Sequence, residues 1–85
     1  MLKLWAKTVR EQKIQTQQTY IAMERFEEDR FFVYLTDICK LLDIETPVIL
    51  PTHLRDFKKY RHVKFRPDDF MDSVNFDFLL IEDIT

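Results

Sequence analysis

The side chains that could do chemistry in this chain are few, and their spacing serves chemistry poorly. Cys39, His53 and His62 are its only thiol and imidazole metal ligands. No two of them stand at a zinc-like spacing, and three fall short of a closed four-ligand site unless a carboxylate joins them. Cys39 falls on the apolar side of a predicted helix, which suits an inert buried thiol, because burial raises a thiol's pKa and removes its nucleophilicity. Ser73 is the single serine. It lacks the nucleophile-elbow sequence and is expected to serve the turn before the last strand. Asp68, Asp69, Asp72 and Asp77 do not follow the calcium-loop pattern, which needs a glycine at its bend. Asp68 or Asp69 is expected to cap a helical turn, with the others solvated. No catalytic residue, no metal ligand set and no cofactor is therefore assigned.

The strongest candidate is basic. Arg55, Lys58, Lys59, Arg61, Lys64 and Arg66 interleave with Phe57, Tyr60 and Phe65. Cations among aromatics can neutralise phosphates and stack on bases. The competing reading is a solvated helix surface whose charges are partly paired with Asp68, Asp69, Asp72 and Asp77, with Phe57 and Phe65 in the core. A pI near 5.6 favours this second reading, since nucleic-acid-binding domains are usually basic.

Charge and composition narrow the field further. The net charge is −2 over 85 residues, and it is unevenly spread. Residues 55–66 carry six basic groups and one acidic, whereas residues 68–83 carry six acidic and none basic. There is no glycine, where average usage would give about six. Phosphate-cradling loops and dinucleotide fingerprints need glycine, which counts against the familiar nucleotide-binding enzymes. Asn-Gly hairpins are missing too. One cysteine excludes an internal disulfide framework and suits a reducing compartment, so a cytoplasmic location is expected. No stretch approaches the roughly 20 apolar residues of a membrane span, and the amino terminus has no signal-peptide pattern.

Any such site must be positioned by a small set of elements. The clearest is an amphipathic helix predicted over Glu28–Asp43, with Phe31, Leu35, Ile38 and Leu42 in one line. Its apolar arc is about 180° wide, more than one core face requires. Tyr34 and Leu41 flank the line on one side, Phe32 and Cys39 on the other. A second helix, Thr52 to Arg61, is expected to be capped by Thr52 and to cover one flank. An exposed Phe32 or Tyr34 would then mark a partner surface.

Leu2–Arg10 alternates and predicts a strand with Leu2, Leu4 and Ala6 inward. That puts Trp5 on the lysine face, half covered by lysine stems or marking a second contact surface. Glu11-Gln12 is the expected turn. Lys13–Met23 predicts a strand whose Lys13–Thr19 part is polar on both faces, hence a sheet edge open to strand addition. Val48–Leu50 is expected to be extended, and Val63–Arg66 a third strand. Val74–Ile81 predicts a central fourth strand with Phe76, Phe78 and Leu80 inward. The fold class expected is α+β: a small, mainly antiparallel sheet with two helices on one face, in the order β-β-α-α-β-β, as a single domain over 1–85. The predicted core also includes Ile49, Leu54 and Phe57.

The run Thr46-Pro47-Val48-Ile49-Leu50-Pro51, with His53 and Phe57, then Phe65-Arg66-Pro67-Asp68-Asp69-Phe70 and Val74-Asn75-Phe76-Asp77, resembles short uncharacterised proteins of Gram-positive bacteria. The resemblance covers roughly the last 40 residues. It implies a bacterial, cytoplasmic origin, and because that family has no assigned activity it carries over no functional residue. Three functions stay open: a non-enzymatic protein-interaction module, whose partner is another protein or a second copy; a nucleic-acid-binding accessory protein using the 55–66 segment; and an enzyme.

Overall fold

Alternation builds the first hairpin. Leu2, Leu4 and Ala6 share one face of β1 (Leu2–Arg10) and are buried, while Lys3, Trp5 and Lys7 on the other face are half-buried. β1 pairs antiparallel with β2 (Lys13–Ala22), with a bulge at Thr8/Val9. The connection is the two residues Glu11 and Gln12, at φ 52° and 68°. Two positive φ values are the signature of a type I′ turn, whose twist matches the strands it joins. Here it is made without glycine. The computed structural model describes residues 1–85.

The chain then crosses to the far edge of the sheet through two helices. A short 3₁₀ turn, Glu28–Arg30, takes up the start of the predicted first helix, and α1 itself spans Phe31–Leu42. α1 ends where Asp43 turns left-handed at φ 58°. The N–H groups of Asp43 and Ile44 then donate to Lys40 and Cys39 carbonyls, the double bond of a Schellman ending. α2 spans Pro51–Tyr60, with Pro51 in its first turn. Thr52 is therefore not the cap. Leu50 occupies that place, and its N–H donates to Nδ1 of His53 at 2.9 Å, because proline fits the first helical position and lacks the N–H a cap would satisfy. Val48–Leu50 lies outside any strand.

β3 (His62–Phe65) and β4 (Phe78–Asp83) complete a four-stranded, wholly antiparallel sheet of order β2-β1-β4-β3. The expected α+β order is the one observed, with β2 at an edge and β4 central. Sixteen buried residues form one core between the sheet and the helices, including Leu2, Leu4, Leu35, Ile38, Phe57, Phe65, Leu79 and Ile81. Two expected core members, Phe78 and Leu80, are corrected. Their registers with Val9 and Lys7 place them on the opposite face of the sheet. Phe76 is buried as expected, but bends at Asn75–Asp77 precede β4. Strand alternation starts afresh at Phe78, so Leu79 and Ile81 point inward. Ile49 and Leu54 pack on the rim of the core, partly buried.

Candidate functional site

The chemistry-bearing residues are placed one by one. Cys39 is buried in the core, its thiol pushed up to about 11 by desolvation against a smaller opposing hydrogen bond from Thr46. Ser73 is exposed beside Asp72 and Val74, away from either histidine. His53 and His62 do share an open hollow along the outer edge of β3, with Asp56, Asp68 and Asp69 on its wall. His53 is committed there: Nδ1 accepts from Leu50, Nε2 lies 3.5 Å from Asp69 Oδ2, and the ring packs on Phe65 with centroids 4.4 Å apart. Asp69 also accepts from the Arg66 N–H at 2.9 Å, so it caps its own 3₁₀ turn. No three His, Cys, Asp or Glu side chains converge as a metal site would require.

The 55–66 cations divide between two parts of the molecule. Arg55, Lys58 and Lys59 line a shallow hollow of about 370 Å³ with Pro51 and Leu54 on α2. Lys58 pairs with Glu28, Arg55 lies near Asp56, and Lys59 sits over the Tyr60 ring. Arg61 reaches Asp83, the one ion pair between these cations and the acidic 68–83 stretch. Lys64 belongs to β3 and pairs in register with Leu80, on the sheet face turned away from the helices. Arg66 follows β3 and lines the hollow at its edge.

That helix-free face collects the side chains with the greatest contact potential. Its rows across the strands run Thr19–Trp5–Glu82–His62, then Gln17–Lys7–Leu80–Lys64, then Ile14–Val9–Phe78, with Lys3 beside Ile21 at one end. The solvent face of an antiparallel sheet is ordinarily polar. Here six of these thirteen positions are apolar, two of them aromatic. Each ring carries a cation: Lys7 Nζ lies 4.2 Å from the Trp5 centroid and Lys64 Nζ 4.3 Å from that of Phe78. Trp5 Nε1–H donates to Gln17 Oε1 at 2.9 Å, which ties the indole to the neighbouring strand. Trp5 is half-buried on the lysine face, with the Lys7 ammonium over its ring.

Neither family models nor curated proteins nor solved structures give a match to this chain. Function has to be read from the surface itself.

The flanks of α1 resolve differently from expectation. Tyr34 is fully buried: its ring meets Tyr20 and Phe26, and its hydroxyl accepts from the Glu27 N–H at 3.1 Å. Phe32 is 61% exposed. α2 meets α1 through Phe57 against Phe31, at 5.4 Å between centroids, rather than over a flank. Phe32 and Leu41 are both exposed, but they are nine residues apart and point in opposite directions, so they form no common patch. The sequence reading missed the open sheet face because it placed Phe78 and Leu80 inward. The available signal was the doubly apolar run Phe78–Ile81, which gives β4 a second face to bury.

Proposed function

We propose that this chain is a small, non-enzymatic, cytoplasmic binding module that works through the helix-free face of its sheet. One observation carries the reading: half-buried Trp5, Phe78 and Leu80 lie with exposed Ile14 and Ile21 on a face that neither helix covers. Apolar side chains left uncovered on a small domain mark a contact surface. The exposed Phe32 on α1 adds a lesser apolar point on the other side. The face carries Lys3, Lys7 and Lys64 against the single acid Glu82, and that charge complements an anionic partner better than a second, equally basic copy of the same face.

Denaturation of surface variants tests this. Threonine suits a strand as well as the residues it replaces. Trp5→Thr, Phe78→Thr and Leu80→Thr are therefore expected to cost less than about 1 kcal/mol each. Leu4→Ala or Leu79→Ala on the core face should cost about 2–5 kcal/mol. A core-sized loss at the open-face positions would make that face a second structural core and end the proposal.

A further inference from the structure

We infer that the open sheet face binds single-stranded nucleic acid, with bases stacking on Trp5 and Phe78 and phosphates held by Lys3, Lys7 and Lys64. This rests on the reading of that face as the contact surface and names its occupant. The charge balance points to an anion. The face holds three of the chain's thirteen Lys and Arg residues but only Glu82 of its fifteen acids, in a protein of net charge −2. The rings point to bases. Trp5 and Phe78 stand on the two neighbouring central strands, four registered positions apart, a separation of roughly 14 Å from strand rise and spacing. Each has an ammonium over it, at 4.2 and 4.3 Å. A base can take the ring face while a phosphate draws the lysine aside, the pairing of stacking and backbone charge that single-strand binders use. Both helices lie behind the sheet, so neither can enter a duplex groove from this face. The α2 cations form a poorer site, since Lys58 is already paired with Glu28 and Arg55 lies beside Asp56.

Trp5 is the only tryptophan, so its fluorescence reports the site directly. Titration with an oligothymidylate of about 12 nucleotides, within known single-strand site sizes, is expected to quench it at low salt. Three neutralised phosphates predict a slope of log K against log salt of about −2. Trp5→Phe should keep binding. Trp5→Thr or Phe78→Thr should weaken it about 5- to 150-fold, read by anisotropy of a labelled oligonucleotide. Circular dichroism melts establish that each variant is folded. Absence of binding at low salt overturns the inference. So does binding that dextran sulfate matches and Trp5→Thr leaves intact, because that is polyanion adhesion without stacking. Binding of polyglutamate but not of the oligonucleotide removes nucleic acid as the occupant and leaves the open-face reading standing. The denaturation experiment decides that reading independently.

Discussion

His53 sits at the third position of α2, where its Nδ1 takes the Leu50 N–H and its Nε2 faces Asp69. A side chain at that position that reaches back to the cap residue satisfies a donor the helix cannot. His53→Ala leaves the Leu50 N–H without this partner and is expected to cost about 1–2 kcal/mol. His53→Gln, which can also reach back from the third position, should recover much of that. Urea midpoints of the two variants check it, and equal losses would deny the capping role. Cys39 bears on stability through pH. Its thiol titrates near 11 in the fold against an ordinary value of 9.0, chiefly because burial disfavours the thiolate. The stability it contributes is full below about pH 9 and is lost as pH rises through about 11, to the extent of roughly 2–3 kcal/mol. Tyr20, raised by burial and by its hydrogen bond to Asp37, titrates in the same direction. Cys39→Ala should flatten the alkaline slope relative to wild type. An unchanged slope would mean that the thiol is not the titrating group.

The elements pay a conformational cost for the absence of glycine. Glu11, Gln12, Asp43 and Arg61 all hold positive φ, between 52° and 68°, in a region that disfavours residues with a Cβ. The chain accepts this at its one tight hairpin and at the ends of both helices. Replacing Glu11-Gln12 by Asn-Gly, the favoured type I′ pair, should stabilise the protein by about 1 kcal/mol. That corresponds to roughly 4–8 °C in Tm for a domain of this size. Asp43→Gly should add a smaller gain at the C-terminal end of α1. A lower Tm for the hairpin variant would show that the Glu11 and Gln12 side chains hold the turn in a way their backbone does not reveal. The element order was legible in the sequence because its periodicities are strong: Phe31, Leu35, Ile38 and Leu42 at helical spacing, and Leu2, Leu4 and Ala6 in alternation. The start of α1 was not, because the acidic Glu28–Arg30 turn satisfies the same preference for negative charge at a helix start. The phase of β4 was not, because Phe78–Ile81 is apolar on both faces and only the bend at Asn75–Asp77 decides between them.

Across the whole molecule the sheet separates two environments. One side is a closed core roofed by α1 and α2. The other is an uncovered face with aromatic and basic side chains, in a protein that is acidic as a whole. The linear charge blocks hid this, because Lys64 shares its segment with Arg55 and Lys58 but not its face, while Lys3, Lys7 and Trp5 reach it from a strand 60 residues away in the chain. No helix is long and apolar enough to cross a membrane. The most direct measurement is amide chemical-shift mapping of the ¹⁵N-labelled protein with an oligothymidylate at low salt. Shifts are expected to concentrate in β1, β3 and β4 around Trp5, Lys7, Lys64 and Phe78, with α1 and α2 silent. Shifts centred on Arg55, Lys58 and Lys59 of α2, or none anywhere, would contradict binding at the open face.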